Sequence, residues 1–245
     1  GAKIGLVELP LALMNPSDLL LLPDPGYPDY LSGVSLGRVT YETFPLTAEN
    51  DFLPDLDAIP EETARRAKFI YINYPNNPTG AVATKAFYEK LVAWAKTYEV
   101  GVVSDLAYGA LGYQGYENPS FLSTPGAKDV GIEFYTFSKT FNMAGWRLAF
   151  AAGNDQMIEA LNLIQDHLFV GIFPALQEAG IAALLDPKSE EAVAQLNATY
   201  DSRRDAFVQA AAKIGWQAFP SRGSFYAWMP VPEGDTSDSF AALLL

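Results

Sequence analysis

The chain has 245 residues, 49% of them apolar, so it can bury a sizeable core and is long enough for one large domain and part of another. Its 16 Lys and Arg face 29 Asp and Glu, and the net charge of −13 argues against nucleic acid or an anionic membrane as the main partner. The absence of cysteine excludes disulfides and thiolate metal sites, and we predict no metal site. No apolar run reaches the roughly 18 residues of a membrane span and no leader pattern opens the chain, so the expected location is the cytoplasm.

The first predicted element is a helix over Ile4 to Met14, bent or interrupted near Pro10. Its N-terminus presents the free backbone N–H groups of Ala2 and Lys3. Such donors can hold a phosphate, although a frayed chain end is an equally good interpretation of these residues alone.

A buried strand is predicted next, over Asp18 to Leu22, because the run is apolar and ends in a loop rich in Pro and Gly. Tyr27 lies in that loop. Ligands of open α/β sheets lie at strand ends, so Tyr27 either stacks on a planar ring or packs beneath its own loop.

The middle of the chain alternates between strand and helix patterns. Strands are predicted at 39–42, 69–73, 100–104, 132–137 and 148–152, and helices at 58–67 and 84–98. Parallel strands need crossover connections, and those connections cover the sheet. The expected fold is therefore α/β, with a mainly parallel, doubly wound sheet and helices on both faces.

Two loops at strand ends carry polar groups. The first, 74–80, has two prolines and a glycine that can hold the Asn77 amide rigidly, although Asn, Pro and Gly are also ordinary turn residues. The second contains Asp105 and, three residues later, Tyr108. A lone acid there is usually a helix cap, but near a heterocyclic nitrogen it would keep that nitrogen protonated, as carbanion chemistry requires.

The stretch 135–148 combines one amine, Lys139, with several hydroxyls and with Arg147. An amine in an apolar setting is disfavoured in its charged form and can act as a Schiff-base nucleophile toward a carbonyl. A guanidinium is a fixed fork for an anion. An aldehyde that carries a phosphate would use both groups, which describes pyridoxal phosphate (PLP).

The last third looks structural. Helices are predicted at 157–168, 173–185 and 189–214, followed by strands at 216–219 and 224–229. The long helix would carry the chain out of the large domain, so we expect a PLP-binding large domain over 1–188 and part of a small α+β domain over 189–245. His167, the one histidine, receives no catalytic role.

Taken together, these motifs resemble the fold type I, PLP-dependent class I/II aminotransferases. The motifs are Asn-Asn-Pro-Thr-Gly from residue 76, Asp-Leu-Ala-Tyr from 105, and Ser-Lys-Thr-Phe-Asn-Met-Ala-Gly-Trp-Arg from 138. They stand in the family's order, and residues 125–147 most resemble the branch with LL-diaminopimelate and alanine aminotransferases.

The resemblance implies a role for each site residue. Lys139 would form the Schiff base and move the proton at the substrate α-carbon, and Asp105 would pair with the pyridinium nitrogen. Tyr108 and Asn77 would bind the 3′ oxygen. Tyr27 would stack on the ring, and the phosphate would be held by Thr136, Ser138, Arg147 and the backbone of Ala2 and Lys3. By the same analogy Asn77–Pro78 would be a cis peptide.

The implied activity is amino transfer between an L-amino acid and a 2-oxo acid, by a homodimer. Family members are longer, so the chain is expected to be truncated at both ends and to lack the arginine that grips the substrate carboxylate. Three alternatives stay open at this point: a β-eliminating C–S lyase with the same cofactor, an aminotransferase-like ligand-sensing domain of a transcription regulator, and a folded fragment that binds no cofactor.

Overall fold

The computed structural model describes all residues, 1–245, and its centre is one six-stranded sheet. The strands are β1 (Leu19–Asp24), β2 (Thr40–Pro45), β3 (Ala67–Asn73), β4 (Gly101–Asp105), β5 (Gly131–Thr136) and β6 (Ala149–Gly153). Their order across the sheet is β2-β1-β3-β4-β5-β6. All neighbours are parallel except β5 and β6, which are antiparallel.

The register of the parallel strands brings their last residues together at one edge. Asn73 at the end of β3 is paired with Asp105 at the end of β4, and Asp105 is paired with Phe134 of β5. Chain segments that leave these strands therefore start side by side at the carboxyl edge, where ligands of open α/β sheets bind.

Helices cover both faces of the sheet. They are α1 (Ala2–Leu13), α2 (Tyr30–Gly37), α3 (Glu61–Arg66), α4 (Lys85–Tyr98), α5 (Ala127–Val130), α6 (Phe137–Thr140), α7 (Asp155–Leu168), α8 (Pro174–Leu185), α9 (Ser189–Lys213) and α10 (Ser237–Leu244). Successive strand residues point to opposite faces, so β1 sends Leu21 into the core beneath α4 and Leu22 into the core beneath α1, α2 and α7.

Local sequence explains where α4 begins and ends. The Thr84 hydroxyl accepts a hydrogen bond from the Phe87 N–H, and Glu99 ends the helix in the left-handed region. Between them Tyr88 and Leu91, both fully buried, belong to the apolar face that packs on the sheet. Pro10 is tolerated inside α1, in its last turn.

The α/β fold with a mainly parallel sheet is confirmed, and each predicted strand of the sheet is present with its ends shifted by a few residues. The strand predicted over 132–137 ends one residue early, and Lys139 lies not in an open loop but in the one-turn helix α6. His167 falls in the last turn of α7, as expected. The Asn77–Pro78 peptide is cis, as are two other X–Pro bonds.

The strands predicted over 216–219 and 224–229 were wrong. Both segments lie outside regular structure, and one backbone hydrogen bond, from the Phe219 N–H to the Trp228 carbonyl, joins them. Pro220 and Pro230 flank them, and a proline has no N–H to extend a ladder. The division into domains at 188/189 stays a prediction. Among the helices, none combines the length and the apolar character that crossing a membrane demands.

Candidate active site

A cavity of about 310 Å³ opens at the carboxyl edge of the sheet. Its wall contains all ten residues that the sequence singled out for the site: Ala2, Lys3, Tyr27, Asn77, Asp105, Tyr108, Thr136, Ser138, Lys139 and Arg147. These residues come from six separate stretches of the chain, so the fold is what assembles them. The wall also contains Leu6, Asn73, Ala107, Ala144 and Tyr226.

Asp105 is the buried acid of this cavity. It ends β4 with 5% of its surface exposed, and its Oδ2 accepts a hydrogen bond of 3.0 Å from the Tyr30 hydroxyl. Oδ1 is buried and has no partner in the protein. Burial raises the pKa of Asp105 to about 6. The Tyr30 hydroxyl and, to a smaller extent, the Ala107 backbone N–H act in the opposite direction by favouring the charged form.

Asn73 fixes the loop of Asn77 relative to Asp105. Its side-chain amide donates to the Asp105 carbonyl over 2.7 Å, and its Oδ1 accepts from the Asn77 N–H over 2.8 Å. Asn73 itself is buried at the end of β3. One fully engaged amide therefore locks two neighbouring strand ends together, and Asn77 lines the cavity from this rigid loop.

Lys139 enters the cavity from α6, directly after β5. The Thr136 hydroxyl caps this one-turn helix by accepting from the Ser138 N–H at 3.2 Å. Lys139 is half-buried, and its Nζ lies 5.2 Å from the centre of the Phe225 ring. The amine thus sits against an aromatic face rather than in open water.

Two hydroxyls at the start of α6 and the guanidinium of Arg147 line the same cavity. The Thr136 and Ser138 hydroxyls are 3.0 Å apart. Arg147 has a left-handed backbone, with φ of 55°, and its Nη1 donates to the Ala144 carbonyl at 2.8 Å. The Gly1 nitrogen donates to the Arg147 carbonyl at 2.6 Å, which places the start of α1 beside this cluster. Hydroxyls, a guanidinium and a helix N-terminus together suit a phosphate.

Tyr27 forms the side of the cavity nearest α2. Its ring meets the Tyr30 ring edge to face at 5.4 Å, and burial raises the pKa of its hydroxyl. The ammonium of Lys3 pairs with Asp29 at 2.6 Å and lies 5.7 Å from the Tyr27 ring centre. The side chain of Lys3 is therefore engaged outside the cluster of hydroxyls, and its backbone N–H is the group available there.

Tyr108 and Tyr226 approach each other across the cavity. Their hydroxyl oxygens are 3.5 Å apart and their rings meet edge to face at 5.9 Å. Tyr108 is buried, and burial raises the pKa of its hydroxyl, with a further rise from Tyr226. Tyr108 therefore keeps its proton at neutral pH and is a hydrogen-bond donor.

Three polar residues of the site were not foreseen from the sequence: Tyr30, Asn73 and Tyr226. Asn73 had a usable signal, because it is a polar residue that ends a buried apolar strand. Tyr30 is one helical turn beyond Tyr27, but nothing in the sequence pairs it with Asp105. Tyr226 belongs to a segment that was assigned to a strand, where its side chain had no predicted direction.

The site therefore combines an amine, a buried carboxylate with an unpaired oxygen, a group of hydroxyl and guanidinium donors and two phenols at the strand ends of an α/β sheet. Such a set of groups suits a planar, phosphorylated aldehyde. The sequence profile described as Aminotransferase class I and II matches residues 1–245, and the chain belongs to that family.

Named relatives agree with this assignment. The chain is 55% identical to the L-glutamine--4-(methylsulfanyl)-2-oxobutanoate aminotransferase of Bacillus subtilis over 100% of the chain and 61% of that protein. It is 48% identical to the LL-diaminopimelate aminotransferase of Moorella thermoacetica, again over 100% of the chain and 62% of the relative. The chain thus spans a little over three fifths of these relatives.

Solved structures give the same fold. The substrate-bound structure of BacF from Bacillus subtilis superposes with a TM-score of 0.96 at 46% identity, over 100% of this chain and 62% of that one. The aromatic aminotransferase of Pyrococcus horikoshii superposes with a TM-score of 0.94 at 29% identity, over 100% of this chain and 66% of that one.

Proposed function

We propose that this chain is the PLP-binding part of a transaminase that moves an amino group between an L-amino acid and a 2-oxo acid. PLP, when bound, supplies an aldehyde that captures the amino group and a protonated ring that withdraws electrons from the substrate α-carbon. The protein has to hold the ring, keep its nitrogen protonated and move a proton at that carbon.

The carboxylate of Asp105 offers a hydrogen-bond acceptor that suits the ring nitrogen of this cofactor. Asp105 Oδ1 is a buried acceptor without a donor, and leaving such an atom unpaired costs about 1–3 kcal/mol. A ring N–H directed at it would satisfy the oxygen. Tyr30 already occupies Oδ2, so the carboxylate is held in one orientation and has one oxygen left for a ligand.

The proposed role of Lys139 is to bind the aldehyde carbon covalently and, once released, to carry the proton at the substrate α-carbon. Its position in the one-turn helix α6 places the amine in the cavity wall. The hydroxyl of Tyr108 and the side-chain amide of Asn77 would donate to the 3′ oxygen of the ring. Both groups line the cavity from the two loops that Asn73 ties together.

The remaining groups would bind the phosphate and the ring face. The donors available for the phosphate in the cavity wall are Arg147, Thr136 and Ser138, with the backbone N–H groups at the start of α1 beside Arg147. A charge-assisted bidentate contact from Arg147 would dominate the affinity. Tyr27 would cover one face of the ring.

The single observation that carries the proposal is that Lys139, the half-satisfied Asp105 and the donors Thr136, Ser138 and Arg147 line one cavity. The test is to load the chain with PLP, reduce it with borohydride and map the labelled peptide. Label is expected on Lys139. Lys3 is the other lysine in the cavity wall and provides the control, since Lys3→Ala should keep the label and Lys139→Ala should lose it. Label on Lys3 would overturn the assignment.

The substrates we propose to test first follow from the two named relatives. L-Glutamine with 4-(methylsulfanyl)-2-oxobutanoate is the preferred pair, because that relative is 55% identical, and LL-diaminopimelate is the competing donor, at 48%. A transaminase needs a 2-oxo acid to turn over. Release of pyruvate and ammonia from a sulfur-containing amino acid without an acceptor would instead favour a C–S lyase.

We also propose that the chain forms a homodimer and works in the cytoplasm. The dimer is supported by a group of exposed apolar side chains beside the cavity, here called the apolar rim: Trp146, Phe150, Phe169, Val170, Ile172 and Phe173. Val170 and Phe173 are 86% and 69% exposed. Phe150, Phe169 and Ile172 line one pocket together with Ala2 and Arg147 of the site. Exposed apolar surface of this kind often marks a protein interface. Cell fractionation tests the location.

A further inference from the structure

The segment 221–226 lies between the two loops that carry Asn77 and Tyr108. On one side it contacts the first loop, because the Arg222 N–H donates to the Gly80 carbonyl at 3.3 Å and the Ser221 hydroxyl lies 3.5 Å from the same carbonyl. Gly80 has a φ of 74°, and a Cβ there would overlap the Ser221 side chain. The approach of the segment to this loop is therefore close.

On its other side the same segment is joined to the stretch that follows Tyr108. The Tyr113 N–H donates to the Arg222 carbonyl at 3.0 Å, and the Ser224 N–H donates to the Leu111 carbonyl at 3.3 Å. The Tyr113 hydroxyl also donates to the Ser224 carbonyl. Ser224 is fully buried and has a left-handed backbone, with φ of 59°. These contacts fix the direction in which the next two side chains leave the segment.

Those two side chains reach the site. The Phe225 ring packs edge to face on Tyr108 at 5.1 Å and lies 5.2 Å from Lys139 Nζ. The Tyr226 hydroxyl lies 3.5 Å from the Tyr108 hydroxyl and lines the cavity. No role for Tyr226 follows from packing alone, because the hydroxyl adds nothing to the edge-to-face contact of its ring.

In the structure the Tyr108 hydroxyl is the donor and the Tyr226 hydroxyl the acceptor. We propose that Tyr226 is a positioning residue that acts through Tyr108: when PLP is bound this hydrogen bond reverses, so that the Tyr226 hydroxyl donates to the Tyr108 oxygen and the single Tyr108 proton is directed to the 3′ oxygen of PLP. A phenol has one proton to give. If Tyr108 gave that proton to Tyr226, it would have none for the ligand. With Tyr226 as donor to Tyr108, the two hydroxyls form a chain of hydrogen bonds that ends on the ligand. Hydrogen bonds in such a chain polarise and strengthen one another.

The inference rests on the proposed function, and it predicts the direction in which the pH midpoint of the visible absorption moves. A donor at the 3′ oxygen stabilises that oxygen as an anion, so it lowers the pH at which the PLP-loaded protein changes its visible absorption. Removing the Tyr226 hydroxyl weakens the donor and raises that pH. At 3.5 Å the contact is long for two hydroxyls, so we expect a rise of about half a pH unit, below the full value of a neutral hydrogen bond.

The experiment is a pH titration of the visible spectrum of the PLP-loaded chain. Tyr226→Phe keeps the ring and should raise the midpoint by about half a unit, while Tyr108→Phe should raise it by about one unit. Tyr226→Phe added to Tyr108→Phe should change nothing further, because the hydroxyl acts through Tyr108. The matched control is Tyr200→Phe, which removes a hydroxyl from a ring that packs on Phe225 at 5.5 Å.

The outcomes separate the inference from the function on which it rests. If borohydride labels Lys139 and Tyr226→Phe titrates like the parent chain, or shifts the midpoint equally with and without the Tyr108 hydroxyl, the role of Tyr226 is overturned and the proposed function stands. If no visible band and no label form, both are overturned. A shift of the same size in Tyr200→Phe would also overturn the role, since it would reflect general packing near the site.

Discussion

The Tyr30 hydroxyl donates a hydrogen bond to one oxygen of Asp105, and the other oxygen is buried and unpaired. The two residues are 75 positions apart, at the start of α2 and the end of β4. The protein therefore buries a carboxylate of which only one oxygen has a hydrogen-bond donor. Such an arrangement costs folding stability, and it is explained if a ligand completes it.

Replacing Asp105 should make that cost measurable. Its pKa of about 6 lies above the usual value of 3.8, so the folded chain binds more protons than the unfolded chain between these pH values. The free energy of unfolding therefore falls as the pH rises from about 4 to 6. Asp105→Asn removes this dependence and should stabilise the PLP-free chain at pH 7.5 by up to about 3 kcal/mol.

Urea unfolding at pH 4 and at pH 7.5 checks this prediction. The two chains should converge at pH 4, where Asp105 is already neutral when folded. Asp57→Asn is the control, because Asp57 is exposed and pairs with Lys90 on the surface, where such pairs contribute little. PLP binding should weaken in Asp105→Asn while stability rises. A variant less stable than the parent at pH 7.5 would argue against a destabilising carboxylate.

Much of this site could be predicted from the sequence because its parts are local. Strand patterns placed Asp105, Asn77 and Lys139 each at a strand end, and parallel strands have their ends at one edge. Tyr30 and Tyr226 could not be found in this way. Their roles depend on contacts across 75 and 118 positions, which no periodicity encodes.

The C-terminal strands failed for a related reason. The run of aromatic and apolar residues over 224–229 is typical of a strand, but a strand exists only when a neighbour pairs with it. Here the backbone groups of Ser224 and Arg222 bond to the stretch after Tyr108 and to Gly80 instead. The local sequence cannot show whether a neighbouring strand is available to pair with the segment.

Arg147 should discriminate between PLP and pyridoxal, which lacks the phosphate. If its guanidinium binds the phosphate, Arg147→Gln loses a charge-assisted contact worth about 1.5–3 kcal/mol, or about 10- to 150-fold in affinity. Affinity for pyridoxal should be nearly unchanged. Fluorescence or absorbance titration with both ligands measures the difference. Arg203→Gln, at an exposed arginine outside the cavity, is the control, and an equal loss for both ligands would indicate a general disturbance of the site.

Gly80 and Gly115 form a matched pair for testing how the segment 221–226 is held. Both have positive φ, 74° and 76°, but a Cβ on Gly115 would meet nothing, whereas one on Gly80 would overlap Ser221. Gly115→Ala should therefore cost only the backbone strain, about 1–2 kcal/mol. Gly80→Ala should cost more in thermal or urea unfolding and should also weaken PLP binding, because the segment that carries Phe225 and Tyr226 must move. Equal effects in both variants would mean that the close approach at Gly80 is unimportant.

The apolar rim leads to a prediction about assembly. Phe173 begins α8 with 69% of its surface exposed, beside the almost fully exposed Val170. A charge introduced there would have to be desolvated in an interface but would be harmless on a free surface. Phe173→Glu should therefore shift the chain from dimer toward monomer, while leaving its thermal unfolding as a monomer unchanged.

Light scattering across a range of concentrations measures the mass of the two chains. Ile214→Glu is the matched control, since Ile214 is 77% exposed at the end of α9 and lies outside the rim. Loss of the dimer in both variants would point to solubility rather than to a specific interface. A parent chain that is monomeric at every concentration would remove the proposed role of the rim, and it would leave the PLP assignment to be judged on Lys139 alone.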